Sequence, residues 1–384
     1  MFERSVIEIS KDRIRNNLLF IRSIISDSTE LCAVVKGNAY GHSLSAYAPY
    51  LQAEGVRCFA ISSAQEAYEL RPHLSDASRI VVLSEPPARA LEWLIFNRVE
   101  FYLGSLEFVS SITRSAAKAG TPAKIHLELE TGMYRTGVCA DELDAVLEQI
   151  ESNRSLIDVV GICTHLAGPE CRENEPRVRR QIENFEQLSS KIQMRLGRTI
   201  ARHAACSAAA IAYPESRFDM VRVGVLQYGF WPTLEIKERY YAAHPVPELV
   251  PRQVLSWKTH IHSTQNVPKG SYVGYGKSFK AERSMQIAML PIGYADGFSR
   301  ALSNKGYVLV KGKRAPVVGT VNMNMLTIDV TDIKDAHVGD EVVVLGDQDG
   351  ERIVVSSFSD LLNTLNYESL VRLADHIERR IVEH

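Results

Sequence analysis

Short apolar runs alternate with amphipathic stretches over the first 240 residues, and then the alternation stops. The runs at 31–35, 57–61, 79–83, 99–102, 124–129, 158–163, 201–206 and 220–225 are short and mostly apolar, several of them rich in Val, Ile and Cys. That is the profile of strands covered on both faces. Between them, segments such as 11–26, 63–71, 87–97, 105–118 and 177–196 carry apolar residues at helical spacing; the first has Ile14, Leu18, Ile21 and Ile25. Strands alternating with helices imply a parallel sheet, and eight such units predict an α/β fold of the (β/α)8 TIM-barrel type. Seven or nine units would suit an open doubly wound sheet instead.

After Tyr240 the pattern changes. Pro245, Pro247 and Pro251 mark a linker over 244–251. Beyond it come strand-like runs separated by glycine turns, at 252–262, 285–290, 307–310, 314–319, 325–330 and 341–345, with helical pattern only at 356–364 and 367–380. The expected division is a barrel domain over 1–243 and a β-rich C-terminal domain over 244–384. The strand-like Ser5-Val6-Ile7-Glu8-Ile9 makes residues 1–10 able to pair with the second domain.

Composition narrows the function classes. The 384 residues carry a net charge of -2 with 23% charged positions well mixed in sign, so no basic field exists for nucleic acid and no like-charge block for a membrane surface. No run of 18 apolar residues and no signal-like N-terminal segment occurs. The six cysteines form no CxxC pair or repeating spacing. A reducing cytoplasm is the expected compartment, and no metal site is expected.

In a barrel, chemistry sits at the C-terminal ends of the strands. The first strand delivers Lys36, followed by Gly37-Asn38-Ala39-Tyr40-Gly41-His42. A lysine pressed against low-dielectric surroundings loses its charge more readily, and an uncharged amine can form a Schiff base with an aldehyde such as pyridoxal phosphate. An ordinary lysine at a strand end simply reaches out to solvent. The later exits carry Arg135, His165, Cys206-Ser207 and Arg222 ahead of Gly224-Val225. Phosphate commonly binds after strands seven and eight of a barrel, where Ser207, Gly224 and Val225 stand. Ser207 reads equally as a helix N-cap, and His165 alone as a core histidine.

Together the stretches resemble the alanine racemases, pyridoxal-phosphate enzymes of fold type III. The resemblance rests on Ala33-Val34-Val35-Lys36-Gly37-Asn38-Ala39-Tyr40-Gly41-His42, Thr131-Gly132-Met133, Arg135-Thr136-Gly137, Thr164-His165-Leu166-Ala167 and Arg222-Val223-Gly224. It continues through Val273-Gly274-Tyr275-Gly276, Leu290-Pro291-Ile292-Gly293-Tyr294-Ala295-Asp296-Gly297, Gly319-Thr320-Val321-Asn322-Met323 and Asn366-Tyr367-Glu368, covering almost the whole chain in order. It implies a homodimer with shared active sites, pyridoxal 5'-phosphate as cofactor, and interconversion of L- and D-alanine or a related small amino acid such as serine. Lys36 and Tyr275 of the partner subunit would be the two bases. Tyr40, Ser207, Gly224, Val225 and Tyr367 would hold the phosphate, Arg222 would face the pyridine nitrogen, and His165 would pack near the ring. Arg135 would meet the cofactor's phenolic oxygen and the substrate carboxylate; Met323 of the partner subunit would meet that carboxylate and Tyr294 of the partner subunit would line the entrance.

Several positions depart from the family pattern. Glu128 stands where many members have a carbamylated lysine, and is expected to pair with Arg135. Cys206 replaces an asparagine, Asn324 an aspartate, and His376 and Ile381 an arginine and a tyrosine. The changes surround the carboxylate site and entrance and leave Lys36 and Tyr275 in place. The competing readings are a fold type III amino-acid decarboxylase and a non-catalytic pyridoxal-phosphate-binding protein. Tyr275 at a base position opposes the first, and the second domain opposes the other.

Overall fold

The structure is a computed structural model that describes residues 4–383. In chain order its first strands are β1 (Ser5–Ser10), β2 (Glu30–Val34), β3 (Cys58–Ile61), β4 (Arg79–Val82), β5 (Glu100–Leu103), β6 (Ala123–Glu128), β7 (Ile157–Cys163), β8 (Ala201–His203) and β9 (Met220–Val223). Strands β2 to β9 form one parallel eight-stranded sheet in the order β8-β7-β6-β5-β4-β3-β2-β9. Its two end strands are linked where Asp219 N–H donates to Arg202 O and Arg222 N–H to Ala205 O, each at 3.0 Å, so the ring is nearly closed. Each of the eight expected runs coincides with one of these strands.

The helices follow their apolar stripes. Lys11–Ile24 buries Ile14, Leu18 and Ile21, and Glu175–Leu196 buries Val178, Ile182, Phe185 and Ile192. Ser63 caps Ala64–Leu70 by accepting the Glu66 N–H, and Gly120, at φ 68°, ends Leu106–Ala119. Helices Leu44–Ala53, which contains Pro49, and Leu143–Ser152 lay outside the expectation.

The C-terminal half contains β10 (Leu255–His260), β11 (Ser263–Val267), β12 (Met285–Leu290), β13 (Tyr307–Val310), β14 (Lys313–Pro316), β15 (Leu326–Asp329), β16 (Glu341–Gln348), β17 (Glu351–Ile353) and β18 (Glu378–Val382). One sheet runs β14-β13-β16-β10-β1-β18 with β17 on β16, and a smaller one runs β11-β12-β15. Strand β1 therefore belongs to this half. Ile7 and Ile9 point into its core opposite Trp257 and Leu255 of β10. By contacts the chain forms two compact units. One holds the residues up to Arg13, Tyr40–Ala46 and Gln253 onward; the other holds Ile14–Ala39 and Tyr47–Arg252.

One expected helix, 367–380, is mostly absent. The helix there stops at Val371, and Glu378–Val382 is a strand parallel to β1. The guanidinium of Arg379 draws in the carbonyls of Leu373 and Ala374, at 3.1 and 2.5 Å, which curls the intervening chain into a turn. Ladder bonds to β1 then outweigh helix propensity.

Gly41 sits at φ +78°, and a Cβ there would collide with the carbonyl oxygen of Leu370. Gly41→Ala is expected to lower stability by about 2 kcal/mol or more, through strain and overlap together. Urea unfolding reads this; an unchanged midpoint would contradict the close approach.

Candidate active site

The barrel's inward positions are polar to an unusual degree. Residues two apart share a strand face, which puts His126 with Glu128 on β6 and Glu100 with Tyr102 on β5; all four are buried. His203 of β8 and Arg222 of β9 join them. Arg222 is 5% exposed and donates four hydrogen bonds. Nη1 reaches His203 Nδ1 (2.5 Å) and His203 O (3.0 Å), and Nη2 reaches Thr164 O (2.8 Å) and Ala204 O (3.1 Å). A guanidinium has five N–H groups. For the fifth, on Nε, no described residue offers an acceptor.

Lys36 stands two residues beyond β2. The carbonyl of Val34 leaves the ladder and accepts from Gln227 Nε2 (2.9 Å) and the Tyr228 hydroxyl (3.1 Å), which fixes the strand end. After Lys36 the backbone turns left-handed: Gly37 has φ 64°, and Asn38, Ala39 and Tyr40 each have φ 53°. Three consecutive non-glycine residues in that region cost free energy, and surrounding bonds must hold them. Glu66 does so: its carboxylate accepts from Gly37 N–H at 2.6 Å and from Ser62 N–H and Oγ at 2.8 Å. The Lys36 side chain is exposed, more open than the apolar run before it suggested. Even so, burial by the surrounding wall lowers its pKa, the Arg135 cation lowers it further, and Glu66 opposes both. The amine is eased toward its nucleophilic form.

His165 is held down to about 3 by burial first, then by the cations of Arg222, Arg135 and Lys36, so it is neutral at physiological pH. Its carbonyl accepts from Gln181 Nε2 (3.1 Å), while Gln181 Oε1 accepts the Ala167 N–H (2.7 Å). Ser207 is buried, and its Oγ accepts the Gly224 N–H at 3.0 Å, leaving the hydroxyl hydrogen available. Ser207, Gly224 and Val225 thus stand together after β8 and β9.

Glu128 does not pair with Arg135: among the described residues no ion pair joins them, and the partner of Glu128 Oε1 is the Thr136 hydroxyl at 3.1 Å. The carboxylate of Glu130 explains the difference. It collects the N–H groups of Gly132, Met133 and Tyr134 and winds the loop so that Arg135 faces solvent. Arg135 acts on Glu128 only as a nearby charge, and burial raises the Glu128 pKa.

The remaining predicted residues lie in the other unit. Tyr40 and Tyr367 meet edge to face, 6.0 Å between ring centres. Tyr275, Tyr294 and Met323 line one open cleft with Gly276, Arg300 and Thr320. Tyr275 is 75% exposed. The Met323 loop is laced to the Tyr294 loop by Tyr294 N–H to Asn322 O (3.0 Å) and Ala295 N–H to Met323 O (2.9 Å). Gly293 permits that approach, since a Cβ there would overlap both carbonyls. Asp296 secures the turn, accepting from Gly293 N–H (2.8 Å) and meeting His376 Nε2 (2.9 Å). His376 is therefore a support for the Tyr294 loop. Glu66, Gln181, Gln227, Glu100, His126 and His203 escaped the sequence reading. A polar residue inside an otherwise apolar strand was the available signal for Glu100, His126 and His203.

Known proteins resemble this chain over nearly its whole length. The family model described as "Alanine racemase, N-terminal domain" matches residues 9–232, and "Alanine racemase, C-terminal domain" matches residues 254–381. The alanine racemase of Clostridium perfringens (strain SM101 / Type A) is 33% identical over 374 residues, spanning 97% of this chain and 94% of that protein. Among solved structures, alanine racemase from Clostridium difficile 630 superposes with a TM-score of 0.90 at 29% identity, covering 100% of this chain and 97% of that one. The Bartonella henselae enzyme, solved with covalently bound pyridoxal phosphate, gives a TM-score of 0.83 at 26% identity, covering 98% and 99%.

His165 provides a pH test. Its folded pKa, about 3, lies below its ordinary 6.5, so between those values the unfolded chain binds a proton that the folded chain does not. Stability therefore falls as pH drops from 6.5 toward 3, by up to about 1.4 kcal/mol per pH unit. Urea unfolding of a His165→Gln variant is expected to lose that slope. Equal slopes in variant and parent would show that His165 titrates normally.

Proposed function

The chain belongs to the alanine racemase family, and from that premise we propose that it interconverts L- and D-alanine with pyridoxal 5'-phosphate, Lys36 and Tyr275 of the partner subunit serving as the two bases. The observation that carries this reading is the pairing of a lysine of lowered pKa at the first strand exit with a buried arginine that keeps one N–H unused. The residues fit the cofactor: an amine able to lose its charge, a donor for the ring nitrogen, and a buried hydroxyl with its hydrogen available at Ser207.

When bound, the cofactor supplies an electron sink that lets the substrate's α-proton leave. The chain's residues do the rest. Inverting a stereocentre requires a base on each face, and Lys36 Nζ and the phenolic oxygen of Tyr275 of the partner subunit take those places. An arginine donates but does not surrender its proton, so Arg222 would meet the ring nitrogen as a donor only and would temper the sink, favouring return of the proton to the α-carbon over side reactions. Ser207, Gly224, Val225, Tyr40 and Tyr367 hold the phosphate. Arg135 and the backbone N–H of Met323 of the partner subunit orient the carboxylate, and Tyr294 of the partner subunit lines the entrance. His165, kept neutral, packs by the ring without adding charge.

The homodimer is part of the proposal. Tyr275, Met323 and Met325 are 75%, 56% and 45% exposed in the single chain, and an apolar patch of this kind is usually covered by a partner. All six cysteines are unpaired, which supports a cytoplasmic setting. The relatives favour neither a decarboxylase nor a non-catalytic carrier.

In deuterium oxide, the purified protein with the cofactor should convert L-alanine to both enantiomers with α-deuterium incorporation. Lys36→Ala and Tyr275→Phe should each lower racemisation by on the order of 10²–10⁴-fold. If sites are shared, mixing the two variants under subunit exchange restores up to about a quarter of the sites, because half the dimers are hybrids with one intact site. Full activity in either variant would defeat the two-base reading, and no recovery on mixing would defeat the shared site.

A further inference from the structure

The polar interior of the barrel forms a continuous path. From Arg222 Nη1 it passes to His203 Nδ1 (2.5 Å), from His203 Nε2 to His126 Nδ1 (2.8 Å), and from His126 Nε2 to Glu100 Oε2 (2.9 Å). Glu100 in turn accepts from Arg79 Nε at Oε1 (3.0 Å) and from Arg79 Nη2 at Oε2 (2.8 Å). Arg79 Nη1 ends the path at Glu30 Oε2 (2.6 Å), where both side chains are about one-third exposed.

Chemistry fixes the direction of every link. Arginine only donates, so His203 Nδ1 must accept, and the proton of a neutral His203 sits on Nε2. That proton is given to His126 Nδ1, which places the His126 proton on Nε2, where Glu100 takes it. A doubly protonated His126 would present a second N–H to His203 and require both nitrogens of that ring to accept. That ring would then be an anion, so both imidazoles are neutral. Burial and the Arg222 cation push the His203 pKa well below its ordinary value. Burial works against the Glu100 charge, yet hydrogen bonds from His126 and Arg79 hold its pKa at about 2.

The backbone is shaped around this path. The β6–β7 ladder slips register between Ile125 and His126, bringing Gly161 opposite His126. A Cβ on Gly161 would overlap the His126 ring. The two imidazoles cross at 80° with centres 4.9 Å apart, and the Tyr102 ring closes over both at 6.1 and 6.2 Å.

We propose that Glu100, His126 and His203 are positioning residues, a one-way hydrogen-bond relay that holds Arg222 as a fixed donor to the cofactor's ring nitrogen. The proposal rests on the reading of Arg222 given above and extends it through the barrel. Each bond in the chain polarises the next toward Glu100. His203 Nδ1 thereby becomes a stronger acceptor, and Arg222 is clamped with its Nε–H left for the bound group.

Histidine-selective ¹⁵N NMR of the holoenzyme and of the cofactor-free protein at neutral pH tests the relay directly. The expected result is two neutral rings protonated on Nε2; a charged ring or an Nδ1–H tautomer at either position overturns the proposal. Two variants then test its action on Arg222. Glu100→Gln keeps an acceptor oxygen without charge, and Gly161→Ala displaces the His126 ring without removing any relay side chain. In each, kcat should fall by on the order of ten- to a hundredfold, the size seen when groups that orient a functional residue are lost. KM should stay within about twofold, because substrate contacts are untouched. The His203 resonances and the visible absorption of the bound cofactor should both shift. A folded variant with moved His203 resonances but parental kcat and absorption would refute the relay's role. If neither variant folds, the wild-type tautomers still decide. If the wild type takes up no pyridoxal 5'-phosphate, the cofactor reading fails, while the tautomers judge the relay separately.

Discussion

A guanidinium inside a nearly closed barrel is the constraint around which the strand exits are arranged. Arg222 is almost wholly buried, and among the described residues no carboxylate lies within ion-pairing distance of it. An unpaired charge in such a place is strongly disfavoured. The barrel answers with oriented dipoles: the carbonyls of Thr164, His203 and Ala204 and one imidazole nitrogen. Those carbonyls lie at the exits of β7 and β8, and their use by Arg222 helps explain why β8 is only three residues long. Glu128 feels the cation as a nearby charge, while the Glu100 carboxylate at the end of the histidine chain is paired with Arg79. The local shell of carbonyls and imidazole both solvates the cation and aims the side chain.

The same device recurs at Lys36. The carbonyl of Val34 is withdrawn from the ladder for Gln227 and Tyr228, and the strained left-handed turn after Lys36 is fastened by Glu66. Gln227 and Tyr228 follow the loop after β9, so the segment that carries Gly224 and Val225 also sets the end of β2. Tyr47, whose hydroxyl donates to Gln227 O at 3.1 Å, stacks on Tyr228 at 4.9 Å and stiffens that link. The lysine and the loop after β9 are one mechanical assembly. A change in Gln227 should therefore be felt at Lys36 without any contact to it.

Much of this was legible in the sequence. Eight apolar runs marked eight barrel strands, because a strand covered on both faces must be apolar along its length. Strand β1 was legible by alternation instead, since Ile7 and Ile9 are buried while Val6 and Glu8 face outward. The polar strand Ser263–Val267 was not, because four of its five residues are exposed and nothing apolar marks it. The missing end of the 367–380 helix turned on Arg379 folding back onto Leu373 and Ala374 and on pairing with β1, hundreds of residues away, which no local window contains. At the site, Lys36, Arg222 and Ser207 stood out by position after strands. Glu100, His126 and His203 sit inside strands, where a polar residue was read past as an interruption of an apolar run. Glu128 was misjudged because its distance from Arg135 depends on the Glu130 turn between them.

The two halves of the proposed base pair are built on opposite principles. Lys36 stands on a buried strand end, with neighbours that adjust its charge and a turn that fixes its backbone. Tyr275 stands on an exposed loop between Gly274 and Gly276, at φ 73° and 69°. The backbone there takes conformations that side-chain-bearing residues rarely adopt, which lets the tyrosine project from the surface. A base presented this way is precise only when something covers it, since exposed loops move and water competes for a phenol. Rigidity on the lysine side and dependence on a covering surface on the tyrosine side fit an active centre completed by association. In the isolated chain the barrel half is already set by the hydrogen bonds around Arg222, and in the proposed dimer association would add the second face.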